Sequence, residues 1–286
     1  MRKNKGFMLS FTKVLCLIAL ASLAACAPIP IKKDIGSLNF DYMATGASKP
    51  TGKVVAIVSP QFAAPERAQA TPSKPTLPFG ALQTGSLPQP QFNAQDFYEK
   101  EYKGRFSTAI MNSTQEIISK KGFTTKGPYA AFEDIPYGDK KDIYLAAVPF
   151  LTVYFEQKDT TQYHCKGLVC TDQGEFIVTG EMIYKMIEPL TGQALMARRI
   201  NLSDFAISKS YIKETESPYP SSSLIGGIID KATKPEYLRD NTDQMMTQAL
   251  NEFFKKTMAK IDTFISTEEL MSFNNDIEKL KDLKRF

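Results

Sequence analysis

The stretch EFIVTGEMIYKMIEPLTGQALMARRINL, at 175–202, decides the fold. It consists of two mainly apolar runs separated by EPLTGQ (188–193), in which Pro189 and Gly192 favour a turn. Two such runs joined by a short loop of this composition are typical of an antiparallel β-hairpin. We therefore predict strands at 175–187 and 194–202.

Four further segments have the pattern of strands. Residues 143–156 (IYLAAVPFLTVYFE) are apolar enough to be buried on both faces, with a bulge or bend expected at Pro149. Residues 53–59 (KVVAIVS) predict a second buried strand, and apolar and polar residues alternate at 38–42, as in a half-buried strand. Residues 123–126 predict a short strand.

Two long helices and a shorter one complete the pattern. The first is predicted from Asn93, a helix-capping residue, to Gly122, and the second at 238–265. Ser266 and Glu269 form a capping box that begins the third helix. Apolar side chains recur at helical spacing at Tyr98, Tyr102, Phe106, Ile110 and Ile117, and at Met246, Leu250, Phe253, Met258 and Ile261.

The order of these elements predicts an α+β fold, with a mostly antiparallel sheet, two long helices packed on one face and a short C-terminal helix. Residues 35–286 are predicted to form one domain. Within it, residues 60–92 hold seven prolines and predict a flexible surface loop, either functional or a tolerated insertion. Residues 208–230, with serine and glycine clusters, are also predicted to be a loop.

The N-terminus has the features of a bacterial lipoprotein signal. Basic residues precede twelve apolar or small residues from Val14 to Ala25, a run too short to span a bilayer. The quartet LAAC (23–26) follows and resembles a lipobox. We predict cleavage of 1–25, lipidation of Cys26 by acyl chains such as palmitate, and a short tether at 26–34.

The charge balance argues against a nucleic-acid partner. The chain has 35 Lys and Arg against 31 Asp and Glu, and residues 1–25 contain four of the basic residues and no acidic ones. Without this segment the balance is 31 to 31, which lacks the basic footprint that nucleic-acid binding needs.

Ala27 is not an acidic inner-membrane retention signal, so we predict an outer-membrane location.

Cys165 and Cys170 form the remaining cysteine pair. In an oxidising compartment, two cysteines five residues apart predict a disulfide that closes a small loop. The alternative is a metal site that includes His164, the single histidine of the chain. That site offers three ligands, whereas structural zinc takes four. We predict no metal and no cofactor.

The sequence contains no recognisable enzyme motif. A nucleophile elbow, a P-loop, a dinucleotide-binding glycine motif and an H-E-x-x-H zinc motif are all missing. The acid pairs Glu133/Asp134 and Glu268/Glu269 fit turns and helix caps better than a glycosidase pair. We therefore predict a protein that is not an enzyme. Basic residues near the C-terminus suit either contact with anionic headgroups or a solvated helix face: Lys279, Lys281, Lys284 and Arg285.

Several segments, taken together, resemble one family. FYEKEYKGRF…EIISKKGF is similar to the first long helix of the neuraminyllactose-binding hemagglutinins, surface lipoproteins also described as flagellar-sheath adhesins. The hairpin IYKMIEPLTGQAL…NLSDFAI resembles the E-P-x-[ST]-G turn and the L-S-x-x-x-I stretch of that family. SSSLIGGIID with TQALNEFFKKTMAKID, and the ending ELMSFNNDIEKLK, are similar in the same order.

The resemblance implies a surface-exposed outer-membrane lipoprotein, an adhesin that binds a host sialylated glycan or protein, on the cell surface or the flagellar sheath. It identifies no ligand-binding residue here. The basic segment proposed as the family's sialic-acid site would fall near 156–166, where only Lys158 and Lys166 are basic. The alternative is a structural or assembly lipoprotein of the envelope that acts through protein contacts. Association into a homo-oligomer stays open.

Overall fold

The structure is a computed structural model, and it describes residues 28–46, 48–63, 92–158, 162–166, 168–217 and 235–284. The predicted signal peptide, Cys26 and most of the proline-rich segment lie outside these residues. Within the described ranges, no helix is both long and apolar enough to cross a bilayer.

The described residues form one mixed sheet. Its strands are β1 (Ile31–Lys33), β2 (Val54–Val58), β3 (Gln61–Phe62), β4 (Thr124–Tyr129), β5 (Leu145–Gln157), β6 (Gln162–Lys166), β7 (Val169–Ile187), β8 (Ala194–Asn201), β9 (Ser208–Glu216) and β10 (Leu238–Asp240). The order across the sheet is β1-β10-β9-β7-β5-β2-β4, while β3 pairs with β5, and β6 and β8 pair with β7.

The antiparallel centre of the sheet confirms the predicted hairpin. β7 pairs antiparallel with β5, β6, β8 and β9, and Tyr184 of β7 lies opposite Arg198 of β8. The margins are partly parallel, because β1 runs with β10, and β2 runs with both β4 and β5. The predicted mostly antiparallel sheet is therefore correct for the centre, and the parallel margins were not foreseen.

Of the bulge or bend predicted at Pro149, the bulge is absent from the pairing of β5 with β7. The pairing of β5 with β7 continues through Pro149 without a shift in register. On its other side, β5 pairs with β2 as far as Ala147 and with β3 from Phe150 onward. The proline, which has no N–H to donate, thus lies where β5 changes partners and a ladder hydrogen bond is not needed.

The helices are α1 (Ala94–Glu101), α2 (Lys103–Lys120), α3 (Tyr137–Asp142), α4 (Thr242–Phe264), α5 (Thr267–Ser272) and α6 (Asn274–Asp282). α1 packs on β5, α2 on β2, and α4 on β7, β8 and β9. The two predicted long helices therefore lie on one face, although the first is interrupted at Tyr102. The predicted third helix consists of α5 and α6.

An aromatic cluster fills the space between the helices and the sheet. Phe106 of α2 stacks on Phe253 of α4, with ring centroids 5.0 Å apart, and both side chains are fully buried. Phe40 packs edge-on against Phe106 and also contacts Phe254. Each fully buried side chain of this size contributes about 1.5–3 kcal/mol relative to exposure, so this cluster is a major source of stability.

The segment at 38–42 is not a strand, which corrects the prediction. Its alternation is real, because Leu38, Phe40 and Tyr42 are half-buried and the residues between them are exposed. The buried side chains pack on the helices, and the Asn39 N–H donates to the side chain of Asn251 on α4. A period of two in burial therefore reflects an extended chain that crosses two helices and pairs with no strand of the described sheet.

Three other segments differ from prediction. Residues 208–216, expected to be loop, form β9, which pairs with β7 over its whole length. Residues 238–240, expected to begin the second helix, form β10 instead, and the helix starts at Thr242. Ile31–Lys33, within the segment predicted as a tether, forms the edge strand β1.

Candidate functional site

The predicted disulfide joins the two strands of the β6–β7 hairpin. Cys165 and Cys170 are register partners, with Cα atoms 3.9 Å apart, and their sulfur atoms are bonded. Both thiols are therefore consumed, which removes the thiolate ligands that the alternative metal site needed. Within the described parts of the chain, no group of three His, Cys, Asp or Glu side chains is placed to hold a metal ion.

The disulfide hairpin lies at the same end of the sheet as Ile29, near the start of the described residues. Val169, next to the disulfide, pairs with Glu216 of β9. The carboxylate of Glu216 accepts a hydrogen bond from the backbone N–H of Ile29, whose side chain is buried. We call this end of the sheet the proximal end, and the opposite end, at the turn 188–193, the distal end.

The two lysines of the family's proposed sialic-acid segment give no concentrated positive site. Lys158 pairs with Glu175 at 2.7 Å, which neutralises its charge locally. Lys166 is exposed at the tip of the disulfide hairpin. Both lysines lie toward the proximal end, and His164 is exposed on β6 between them.

The distal turn is held together by one buried carboxylate. Glu188 is fully buried and accepts hydrogen bonds from the backbone N–H of Leu190 at 3.1 Å and that of Thr191 at 2.7 Å. It also accepts from the Thr191 hydroxyl at 2.7 Å. Gly192 has φ +75°, which side-chain-bearing residues rarely adopt. The residues E, T and G of the E-P-x-[ST]-G motif therefore build the turn itself.

Replacing Glu188 by Ala is expected to lower the free energy of unfolding by about 2–4 kcal/mol, because three donors lose a charged acceptor. Thr191→Ser keeps the hydroxyl and serves as the matched control, with an expected loss below about 1 kcal/mol. Urea unfolding followed by circular dichroism measures both values. Equal stabilities of the Glu188→Ala protein and the parent would contradict this role of the carboxylate.

A lysine-lined pocket lies beside this turn. It has a volume of about 350 Å³, and its lining residues are Tyr137, Lys141, Leu190, Lys281 and Lys284. They come from α3, from the turn and from the C-terminal helix α6 and the residues after it, so three separate segments meet here. We call this site the distal pocket.

The groups of the distal pocket have distinct roles. Tyr137 is 64% exposed, and the Lys141 ammonium lies 4.7 Å from the centre of its ring, a cation–π contact that holds the two side chains together. Lys281 donates to the backbone carbonyls of Lys141 and Ile143 at 2.7 and 2.8 Å. It thereby ties α6 to the end of α3.

The environment of Lys281 also lowers its pKa. Burial lowers the pKa of this ammonium below its usual value, while the charges of Glu188 and Asp142 oppose the shift. Lys281 is therefore mainly a positioning residue, and Lys141 and Lys284 are the more available cations. Of the four basic C-terminal residues noted in the sequence, Lys281 and Lys284 line the pocket, Lys279 lies 3.9 Å from Asp276, and Arg285 lies outside the described residues.

A larger groove has a less suitable charge for an anionic ligand. It has a volume of about 830 Å³ and runs between the extended segment 38–43 and α2. Its lining contains one cation, Arg105, and two carboxylates, Asp41 and Glu116. This balance does not concentrate positive charge, so we favour the distal pocket for anions.

One acid of each pair considered for glycoside hydrolysis has a structural partner. Asp134 accepts from the backbone N–H of Ala131 at 3.0 Å and closes a turn. Ser266 caps α5 as predicted, because its hydroxyl accepts from the Glu269 N–H, but the Glu269 carboxylate pairs with Arg198 at 2.5 Å instead of completing the capping box. These contacts explain both residues without catalysis.

Sequence reasoning found the parts of the distal pocket but not their assembly. The turn with Leu190 and the basic residues Lys281 and Lys284 were noted separately, whereas no site was predicted for the segment that contains Tyr137 and Lys141. An exposed tyrosine four residues before a lysine is the one local signal that was available, since this spacing places both on one side of a helical turn.

Comparison with known proteins assigns the family. A sequence model described as "Neuraminyllactose-binding hemagglutinin precursor (NLBH)" matches residues 84–284. This is more than half of the chain, and the protein belongs to the neuraminyllactose-binding hemagglutinin family. Its relatives are named as hemagglutinins, and membership of this family supports an adhesin-like role.

Individual relatives are distant. The neuraminyllactose-binding hemagglutinins of Helicobacter pylori strains 26695 and J99 are each 25% identical over 204 residues, which is 68% of this chain and 75% of theirs. A solved structure of a neuraminyllactose-binding hemagglutinin homologue from Helicobacter pylori has a TM-score of 0.50 and 14% identity, and covers 86% of this chain and 98% of that one. At this identity the likeness establishes a shared fold.

Proposed function

We propose that this chain is a lipid-anchored adhesin of the outer membrane, at the cell surface or flagellar sheath, that binds a sialylated glycan of a host cell. The observation that carries the proposal is the family match across 84–284. The proposal that the protein is not an enzyme is supported by the structural contacts of Asp134 and Glu269, one acid of each pair. No comparison favours the alternative of an envelope assembly protein.

The chemistry of the distal pocket supports an acidic sugar as ligand. A sialic acid presents a carboxylate, which the ammonium groups of Lys141 and Lys284 suit as charge-assisted hydrogen-bond donors. The exposed ring of Tyr137 offers an apolar face with a polar tip, a surface on which a sugar ring packs well. The pocket is also at the far end of β7 from the point where the lipid anchor would enter.

Binding of sialyllactose tests the proposal. The purified mature lipoprotein in detergent is titrated with sialyllactose and with lactose, and binding of sialyllactose alone is expected. Lys141→Ala combined with Lys284→Ala should weaken it at least about tenfold, because each lost charge-assisted bond is worth about 1.5–3 kcal/mol. Lys141→Ala leaves its backbone carbonyl, and hence the Lys281 contact, in place.

Lys100→Ala combined with Lys120→Ala is the matched control, since both are exposed lysines, on α1 and α2, and the same two charges are lost. It should leave the affinity for sialyllactose unchanged. Equal affinity for sialyllactose and lactose would overturn sialic-acid recognition by this chain. Sialyllactose binding that is unchanged by Lys141→Ala combined with Lys284→Ala would instead mean that the binding site lies outside the distal pocket.

A further inference from the structure

One row of residues crosses the proximal end of the sheet. Ile31 of β1 pairs with Leu238 of β10, and Cys170 of β7 pairs with both Thr215 of β9 and Cys165 of β6. Asp240 pairs with Lys213, so counting two residues back along β10 places Leu238 level with Thr215. Five strands thus end together in a row roughly 19 Å wide, at about 4.8 Å per strand.

The chain leading to Cys26 is attached firmly at this row. Ile29 is only 5% exposed, and its N–H bonds the Glu216 carboxylate. The backbone carbonyl of Pro30 accepts from the N–H of Leu238 at 2.9 Å. Cys26 is three residues from Ile29, a span of at most about 11 Å. A lipid on Cys26 would therefore hold the row close to the bilayer surface.

Exposed groups beside the row have the chemistry of a membrane interface. Ile31, on β1, is 55% exposed, and Tyr237, which directly precedes the neighbouring strand β10, is 40% exposed. The Lys32 ammonium lies 5.0 Å from the centre of the Tyr237 ring. Tyrosine and lysine side chains, which have an apolar body and a polar end, favour the headgroup region. Insertion of an exposed isoleucine next to them is favourable because it removes apolar surface from water.

Charge is of secondary importance at this surface. Lys32, Lys33 and Lys166 are exposed cations near the row, and Asp34 and Glu236 are exposed acids that offset most of their charge. Contact with the bilayer therefore depends on the apolar and aromatic side chains and on the short link to Cys26. It should depend little on the content of anionic lipid.

We propose that the proximal row, with Ile31 and Tyr237 at its edge, rests on the headgroup layer of the bilayer that holds the lipid anchor. This inference rests on the lipid anchor of the proposed function. The sheet then stands upright on the membrane, and the distal pocket points outward. β7 has 19 residues, which corresponds to a height of roughly 60 Å at about 3.3 Å per residue.

Single-tryptophan reporters test this orientation, because the chain contains no tryptophan. Tyr237→Trp and Tyr137→Trp are matched replacements of exposed tyrosines at the proximal and distal ends. Each lipidated protein is reconstituted into vesicles of phosphatidylethanolamine and phosphatidylglycerol with brominated acyl chains, which quench tryptophan fluorescence at short range. We expect at least about twofold quenching and a blue shift at position 237, and neither effect at position 137.

The outcomes separate the orientation from the anchor. Vesicle flotation is measured first, and a protein that carries lipid and floats fulfils the premise. If it floats but the tryptophan at 237 is unquenched, or both positions are quenched equally, the orientation is wrong and the anchor stands. If the protein does not float and its mass lacks the lipid, both the anchor and the orientation are overturned.

Discussion

Replacing Cys26 by Ser is expected to release the protein from membranes completely. Acyl chains on one sulfur would be the main attachment, since each buried methylene contributes about 0.8 kcal/mol and two or more chains make release negligible. A serine hydroxyl cannot form the thioether that carries the diacylglycerol. No helix within the described residues can replace the anchor by spanning the bilayer.

Cell fractionation with mass analysis of the mature N-terminus measures this result. Cys16→Ser is the matched control, because it makes the same replacement within the apolar run that precedes Cys26, ten residues before it. The control protein should stay in the membrane fraction with an unchanged, lipid-bearing mass. A Cys26→Ser protein that still fractionates with membranes and carries the same mass would contradict lipidation at this residue.

The parts of the fold that the sequence predicted are those with a strong local signal. The amphipathic helices have a clear apolar period, and the hairpin around EPLTGQ and the buried strands β2 and β5 have continuous apolar runs, so each was found. β9 was missed because its residues are mostly polar: it is buried mainly at Tyr211, and its order comes from pairing with β7. Backbone pairing with a distant strand leaves little trace in composition.

The extended segment with Phe40 shows the opposite error. Its alternation was correctly read as burial of one face, but the partner surface consists of two helices that lie far away in sequence. A period of two states only that the chain is extended, and it does not identify what covers it. The distal pocket was out of reach for the same reason, since three segments must fold before its lysines meet.

The N-terminal segment is also fixed to the helices at one buried carboxylate. Asp262 of α4 is 2% exposed, and it accepts from the Tyr42 hydroxyl at 3.0 Å and from the backbone and side chain of Thr45 at 2.8 and 2.7 Å. Its other oxygen lies 2.8 Å from the Lys121 ammonium, which is itself 14% exposed. One side chain therefore joins the residues before β2, the end of α2 and α4.

Replacing Asp262 by Ala is expected to lower the free energy of unfolding by about 3–5 kcal/mol, because it leaves a mostly buried ammonium and three donors without their acceptor. Asp276→Ala is the matched control: that carboxylate is exposed and lies 3.9 Å from Lys279, so a loss below about 1 kcal/mol is expected. Urea unfolding at neutral pH measures both. Similar losses in the two variants would contradict the role of Asp262.

The same contact predicts that the contribution of Asp262 to the free energy of unfolding depends on pH. The variant Asp262→Asn should lack this contribution. Burial alone would raise the pKa of Asp262, but the hydrogen bonds from Lys121, Thr45 and Tyr42 outweigh it and hold the pKa below its usual value. The contribution is therefore complete above the unfolded pKa of about 4 and is lost as pH falls through the lower, folded pKa. The stability difference between the parent and Asp262→Asn, measured by urea unfolding, should be constant from pH 7 to about 5 and shrink below about 4. A difference that stays constant down to about pH 2 would mean that the carboxylate does not titrate as this contact requires.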